Sequence, residues 1–139
     1  QMCIRDRDKW SQKALDSCMK YWQKILGLSH WDIVITYANN RDIEYLLGYP
    51  ALASISSSPS MERAIIRINS NPELDEDAII NGSDDVEWSI LHELLHLYYL
   101  DLYINKEDKA QTELIEKIIN KTCKALLTTG RFRNGRNSR

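Results

Sequence analysis

Two histidines and a glutamate near the middle of the chain have the types and spacing of a metal-dependent hydrolytic site. His92, Glu93 and His96 form a His-Glu-x-x-His motif. Residues four apart on a helix share a face, so both imidazoles can bind one zinc ion. Glu93 lies about 100° further round the helix, beside the metal, where it can take a proton from a zinc-activated water. The motif therefore predicts hydrolysis, with Glu93 as the catalytic residue and the two histidines as metal ligands.

The residues around the motif predict a helix that is buried on nearly all sides. Positions 85–103 are rich in leucine, isoleucine and tyrosine and leave almost no polar face. A buried glutamate costs several kcal/mol, or acquires a raised pKa, unless a cation compensates its charge. This apolar setting favours a metal site over a pair of ordinary surface histidines.

A catalytic zinc site normally has three protein ligands, so a third must come from another element. The only other histidine, His30, precedes the first predicted strand. On the last predicted helix Glu116 lies at the flank of the apolar face, whereas Glu113 points away from it and can pair with a lysine one turn later. Glu116 is the preferred third ligand and Glu113 the second choice, with Asp101, Asp108 and His30 as the remaining alternatives.

The elements that must position these residues follow an α+β order. Apolar residues at three- and four-residue steps predict helices, and alternation of apolar and polar residues predicts strands. The predicted helices cover 9–26, 85–103 and the stretch from the polar break at 105–109 to Gly130, and the predicted strands cover 31–37, 51–56 and 63–69. Asp84 and Glu87 have capping-box spacing at the start of the second helix. We therefore expect an N-terminal helix, a small mixed sheet of two to four strands, a buried active-site helix and a C-terminal ligand helix.

Length, charge and cysteine content limit the classes of protein that fit. The chain has 139 residues, 43% hydrophobic and 27% charged, which predicts one folded domain. No apolar run approaches the ~20 residues that cross a bilayer, and no signal segment is present, so neither membrane insertion nor secretion is expected. Three cysteines without a close pair argue against a disulfide framework and favour a reducing, cytoplasmic setting.

Both ends are expected to lie outside the domain, which we place at 9–130. Residues 1–8 resemble translated adapter sequence and are expected to be a non-native or disordered segment. Residues 131–139 carry four arginines and no acid, and are expected to form a disordered basic tail. Such a tail could contact nucleic acid or an acidic partner. The sequence does not indicate an oligomeric state.

The motif and its downstream glutamate resemble the gluzincin branch of the zincin metallopeptidases. The residues that carry the resemblance are the run 90–97, which contains the motif, and Glu116 on a second helix. The order of a leading helix and a strand opened by Trp31 is also similar to small single-domain predicted metallopeptidases of phages and bacteria. The resemblance implies a zincin-like domain that binds one zinc ion per chain and acts on a peptide or protein substrate.

The same resemblance implies roles for further residues. Asn120, one turn after Glu116, matches the position at which thermolysin-like enzymes have an aspartate that supports a ligand histidine. Zincins commonly have a tyrosine or histidine donor for the oxyanion, and Tyr99 and Tyr103 are the candidates here, although both could belong to the core. In the zincin fold an edge strand also pairs with extended substrate. By that resemblance, the expected substrate-binding edge strand comprises Arg63, Ala64, Ile65 and Ile66.

Two classes of function therefore remain open. The first is a zinc-dependent metallopeptidase that hydrolyses peptide bonds through a zinc-activated water, with Glu93 as general base. The alternative is a non-catalytic or vestigial zinc-site module that binds nucleic acid or a partner through the basic tail. Glu93 discriminates between them, because a structural zinc site needs no general base. A zinc hydrolase with a substrate other than a peptide would use the same residues.

Overall fold

The computed structural model describes residues 10–73, 85–104 and 107–132. The segment 1–8, expected to be non-native or disordered, lies outside these ranges. The described elements are four α-helices, one short 3-10 helix and three strands, so the α+β prediction is confirmed. In chain order they are α1 (Gln12–Ile25), β1 (Asp32–Ala38), α2 (Asn40–Leu47), β2 (Ala53–Ser58), β3 (Arg63–Asn69), α3 (Val86–Tyr98), the 3-10 helix (Leu100–Leu102) and α4 (Lys109–Thr129). None of the described helices has the length and apolar character that spanning a membrane requires.

Helix α1 combines capped ends with one buried stripe. The Ser11 side chain accepts a hydrogen bond from the backbone N–H of Ala14 at 3.0 Å, which begins the helix. Gly27 follows the end of the helix at a φ of 72°, the left-handed conformation that glycine adopts at little cost. Between these ends Leu15 and Trp22 are buried against the sheet and α3. The first predicted helix is thus confirmed, with ends a few residues inside those expected.

Helix α2 was not expected from the sequence, although both of its caps can be read there. The Asn39 side chain accepts a hydrogen bond from the backbone N–H of Asp42 at 2.8 Å, and Gly48 ends the helix at a φ of 84°. Of the eight residues in this helix only Ile43 is buried. A segment of eight residues is shorter than the ~10 to 12 from which apolar periodicity alone identifies a helix.

The sheet is mixed and has the strand order β1-β3-β2. Strands β1 and β3 are parallel, with Asp32 opposite Arg63, and β2 pairs antiparallel with β3. Helices α1 and α3 pack on one face, which contains the buried side chains of Ile66 and Ile68. On the other face Asn69 donates a hydrogen bond to the Asn40 side chain of α2 at 2.8 Å. The sheet therefore lies between α2 on one face and helices α1 and α3 on the other.

Strand β3 is the central strand, so the prediction that residues 63–66 form a substrate-binding edge strand is wrong. The backbone of Arg63, Ala64, Ile65 and Ile66 is paired with β1 on one side and with β2 on the other. Two arginines on one face of a strand are typical of an edge strand or of a half-exposed one, and β3 is half-exposed. Arg67 reaches the Ser56 side chain at 3.2 Å on the face that the short α2 covers only in part. A polar sheet face and an unpaired sheet edge are different properties, and the sequence pattern reports only the first.

Helix α3 is buried on nearly all sides, as its sequence predicted. Its apolar side chains from Val86 to Leu95 have no exposed area, except that of Trp88, which is half-buried. The helix contacts α1, α4 and strands β2 and β3. The helix ends at Tyr98, five residues earlier than expected, and a 3-10 turn follows. Its N-cap is Asp85, whose carboxylate accepts from the backbone N–H of Glu87 at 2.9 Å.

Glu87 and the chain after α4 depart from the sequence prediction. Glu87 is 2% exposed and accepts hydrogen bonds from Trp22 Nε1 at 2.6 Å and from the backbone N–H of Phe132 at 2.7 Å. Arg131 lies 3.2 Å from Glu87 and 2.7 Å from Asp85, and Phe132 is buried in the core. The predicted capping-box role of Glu87 is therefore wrong, because its buried carboxylate accepts hydrogen bonds from Trp22, Arg131 and Phe132. The prediction that a disordered tail begins at residue 131 is also wrong, because Arg131 and Phe132 supply two of these donors. Residues 133–139 of the expected tail lie outside the described ranges.

Candidate metal centre

Helices α3 and α4 run antiparallel, and this packing brings the predicted ligands together. Cys123 Sγ on α4 lies 3.7 Å from the carbonyl oxygen of Trp88 on α3. Arg131, after the end of α4, contacts Asp85 before the start of α3. The middle of α4 therefore faces the middle of α3, where the His-Glu-x-x-His motif lies.

One carboxylate on α4 faces both histidines of α3. Glu116 Oε1 lies 3.1 Å from His92 Nε2, and Glu116 Oε2 lies 3.3 Å from His96 Nε2. All three residues offer a ligand atom within 4.8 Å of the others. A divalent cation with bonds of about 2.1 Å holds tetrahedral ligands about 3.4 Å apart, so this group could hold a metal ion. Glu113, the second choice, is exposed and does not belong to the group.

The remaining candidate ligands lie elsewhere. His30 is exposed and lies 3.4 Å from Glu62, which belongs to the turn between β2 and β3. Asp108 caps α4 by accepting from the backbone N–H of Gln111 at 3.1 Å. Asp101 is exposed on the 3-10 helix. In the part of the chain that the structure describes, no second group of ligand type is present.

Charge interactions within the group favour a cation. Burial by itself would lower the pKa of His92, but the hydrogen bond to Glu116 and the charges of Glu93 and Glu116 outweigh it and raise that pKa. Burial lowers the pKa of His96, against the attraction of Glu116. The hydrogen bond from His92 holds the pKa of the Glu116 carboxyl below its usual range in spite of burial. The carboxylate is thus ionised and bonded to imidazole nitrogens that a metal would take over.

Glu93 lies beside this group in a water-poor environment. Its side chain is 8% exposed, and burial raises its pKa to about 7, with the charge of His92 opposing the shift. A carboxyl group with a pKa near neutrality exchanges protons readily in both directions, which is the property of a general acid and base. Glu93 also lines the groove that contains the metal ligands, so a bound molecule can reach it.

Tyr103 contacts the nitrogen of His96 that faces away from Glu116. Tyr103 Oη lies 2.8 Å from His96 Nδ1, and burial raises the pKa of this phenol to about 12, so it stays protonated at neutral pH. When His96 Nε2 binds a cation, its ring proton lies on Nδ1 and is donated to the phenol oxygen. The hydroxyl hydrogen of Tyr103 is then available to another acceptor. Tyr99, the other candidate donor, instead has its hydroxyl 3.0 Å from Thr122 Oγ1.

Asn120 lies in the groove one turn after Glu116, but it does not support the outer nitrogen of His92. Burial, Glu116 and Glu93 make the larger contributions to the pKa of His92, and a side-chain hydrogen bond with Asn120 makes the smallest. His92 Nδ1 is nevertheless buried without a hydrogen-bond partner among the described residues. The two motif histidines therefore differ at Nδ1. That atom of His96 is hydrogen-bonded to Tyr103, whereas that of His92 has no partner among the described residues.

The candidate metal ligands lie in an open groove between β2 and α4, with α3 as its floor. Strand β2 forms a wall of this groove, and Lys121 and Lys124 on α4 also line it; none of these was predicted from the sequence. The two lysines follow Glu116 by five and eight residues, which places Lys121 about 140° and Lys124 about 80° from Glu116 round the helix. A helical wheel centred on Glu116 therefore does not single out either lysine, and only the packing of α4 against α3 places them at the groove.

Comparison of this chain with protein-family models, with curated proteins and with solved structures gave no match. An interpretation of its function therefore depends on the chemistry of the groove itself. Its resemblance to the gluzincins stays a prediction carried by the motif and Glu116.

Proposed function

We propose that this chain is a zinc-dependent metallopeptidase with a minimal zincin-like domain of the gluzincin type. The observation that carries the proposal is the approach of Glu116, on a separate helix, to within 3.1 and 3.3 Å of the two motif histidines. A pair of histidines four residues apart is common on helices. A third donor at ligand spacing, beside a buried glutamate in an open groove, is what a catalytic metal site requires.

The set of donor atoms supports zinc over other abundant cations. Two imidazole nitrogens and one carboxylate make a mixed nitrogen and oxygen set, whereas magnesium and calcium prefer oxygen alone. Three protein ligands also match the catalytic class of zinc site, in which a fourth position is left for water or substrate. The open side of the groove supplies the access that this fourth position needs.

The roles of the side chains in peptide hydrolysis follow from their positions. His92, His96 and Glu116 would hold zinc, which supplies Lewis acidity toward water and the scissile carbonyl group. Glu93 takes the proton from the attacking water and then gives it to the departing amine. Tyr103 orients His96 by accepting its Nδ1 proton, a contact that holds the Tyr103 hydroxyl on the side of the ring away from the metal.

The groove also suits an extended chain as substrate. Strand β2 is at one end of the strand order, so one side of its backbone is unpaired among the described strands, and its residues line the groove. An extended peptide can add to such a strand through main-chain hydrogen bonds. We therefore assign the substrate-binding role to β2 in place of residues 63–66.

The deciding experiment compares wild-type protein with Glu93→Gln, using zinc content and hydrolysis of unfolded casein as the two measurements. We expect about one zinc per chain in both proteins and hydrolysis only in the wild type. Glu113→Gln, an exposed glutamate outside the ligand group, serves as the matched control and should retain both properties. Hydrolysis that persists in Glu93→Gln at the wild-type rate would contradict the proposed mechanism.

The alternative is a binding module that uses a basic tail, and one observation weakens it. Arg131, the first of the four tail arginines, is paired with Asp85 and Glu87 inside the domain, so its charge is already balanced by two carboxylates. Zinc bound by a wild-type protein that hydrolyses no peptide bond would favour this alternative. Retention on nucleic acid should then fall when residues 133–139 are removed, in a salt-dependent way.

A further inference from the structure

The groove that contains the metal ligands has two halves of different chemistry. Because α3 and α4 are antiparallel, the half near the end of α3 is also the half near the start of α4. That half is lined by apolar or uncharged side chains, which include Leu97, Leu100, Tyr103 and Thr112. The half near the end of α4 is lined by three cations, which are Lys121, Lys124 and Arg131.

Two of these three cations are not neutralised by the described part of the protein. Arg131 is paired with Asp85 and Glu87 at 2.7 and 3.2 Å. Neither Lys121 nor Lys124 forms an ion pair with another described residue. No acidic residue stands three or four positions from either lysine on α4, so intrahelical pairing is also absent. Among the described residues, one half of the groove therefore has two positive charges without an ion-pair partner, and the other half has none.

The spacing of the lysines relates them to positions on a bound chain. With a rise of about 1.5 Å per residue, Lys121 lies about 7.5 Å and Lys124 about 12 Å along the helix axis from Glu116. An extended peptide advances about 3.3 Å per residue. For an extended peptide that lies along α4, the Cα atoms of the two lysines are therefore level with the second to fourth residues counted from a bond at the metal centre.

We propose that this groove selects peptides with acidic side chains two to four residues from the bond at the metal centre, in the half lined by Lys121 and Lys124, and with apolar side chains in the other half. The position of the cleaved bond rests on the proposed metallopeptidase function. The charge preference itself does not require catalysis, because it depends only on the unpaired lysines. It can therefore be measured as binding.

The binding test uses Glu93→Gln with one equivalent of zinc sulfate, so that hydrolysis does not compete. The probes are two fluorescein-labelled octapeptides with blocked ends that differ only in two adjacent residues, glutamate in one and glutamine in the other. By fluorescence anisotropy in low salt, we expect the glutamate peptide to bind about five- to tenfold more tightly. In 0.5 M sodium chloride this preference should largely disappear, since salt screens exposed charges.

Matched lysine variants locate the preference on the protein. Adding Lys121→Gln and Lys124→Gln together should make the two affinities equal. Lys117→Gln, which changes an exposed lysine of the same helix outside the groove, should leave the preference unchanged. Equal affinities in the parent protein, or a preference that survives the double lysine substitution, overturn the proposal.

A second measurement separates this inference from the proposed function. Wild-type protein with zinc is incubated with a peptide mixture from a digested proteome, and the cut positions are read by mass spectrometry. We expect acidic residues to be enriched two to four positions from the cut, on one side only. Cleavage without this enrichment overturns the charge preference and leaves the metallopeptidase proposal standing. Charge-dependent binding without any cleavage supports the charge preference and overturns the metallopeptidase proposal.

Discussion

The Glu116 carboxylate lies 3.1 Å from Nε2 of His92, although the two residues are 24 positions apart and belong to different helices. Ile115 and Ile119, on either side of Glu116 in α4, are buried in the core and fix the rotation of that helix against α3. The candidate metal ligands are therefore held together by apolar packing between the two helices.

Replacement of Glu116 should weaken metal binding strongly. In Glu116→Gln the carboxylate is lost, and the affinity for zinc should fall more than about 100-fold, beyond the effect of losing an outer partner of a ligand. The affinity is measured by competition with a chromophoric chelator. Glu113→Gln has the same chemical change one turn away and should bind zinc as the wild type does. Equal zinc affinity in Glu116→Gln and wild type would remove Glu116 from the ligand set.

Loss of the Tyr103 hydroxyl should weaken zinc binding to a smaller extent. In Tyr103→Phe the Nδ1 proton of His96 has no acceptor, so the ring is no longer held in the ligand orientation. We expect zinc affinity to fall about 10- to 100-fold. Tyr98→Phe removes a hydroxyl from a tyrosine that is 51% exposed and should have no effect. An unchanged affinity in Tyr103→Phe would show that this hydrogen bond does not orient His96.

Glu93 should destabilise the metal-free protein at neutral and alkaline pH. Its pKa is raised from the ordinary 4.5 to about 7 in the folded protein. Below pH 4.5 the group is protonated in both the folded and the unfolded chain and has no effect on the free energy of unfolding. Between pH 4.5 and 7 the unfolded chain ionises first, so stability falls as the pH rises. Above pH 7 the loss reaches about 3 kcal/mol.

Glu93→Gln tests this linkage, because glutamine resembles the protonated carboxyl. In EDTA the variant should be more stable than the wild type by about 3 kcal/mol at pH 8 and by almost nothing at pH 4.5, as measured by urea unfolding. Excess zinc should reduce the difference at pH 8, since a nearby cation stabilises the Glu93 anion. A stability difference that does not vary with pH would mean that Glu93 is not buried as an isolated carboxyl group.

Truncation should locate the C-terminal end of the domain. Removal of residues 131–139 takes two donors from the buried Glu87 and one apolar side chain, Phe132, from the core. We expect a loss of about 3 kcal/mol in the free energy of unfolding. Removal of residues 133–139 alone leaves these contacts in place and should cost less than about 0.5 kcal/mol. Equal stability of the two truncated proteins would contradict the role of Glu87.

The sequence predicted those features that depend on local periodicity. Helix α3 is apolar all round and helix α4 has one apolar arc, so both were located to within a few residues, except that α3 ends earlier. The preference for Glu116 over Glu113 also came from its angle to that arc, and the structure places Glu116 beside the histidines. Such features could be predicted because one helix face determines them.

Features that depend on distant pairing could not be predicted in this way. The central position of β3 results from pairing with β1 and β2, and the period of its own residues is the same at an edge or in the centre. Glu87 illustrates the same limit, because its donors Trp22 and Phe132 come from opposite ends of the domain. Helix α2 differs from both cases, since its caps at Asn39 and Gly48 were local signals that an analysis of hydrophobicity alone passes over.

The strand order has a consequence for synthesis on the ribosome. Strand β1 emerges first, but its only partner among the described strands is β3, whose first paired residue, Arg63, follows Asp32 by 31 positions. At ~5 to 20 residues per second, β1 waits about 2 to 6 seconds with both of its edges unpaired. Strands β2 and β3 are joined by a short turn and can pair as soon as both have been made. In the nascent chain the β2–β3 hairpin can therefore pair before β1 joins the sheet, although β1 is made first. The residues of the candidate metal centre, on α3 and α4, are made after all three strands.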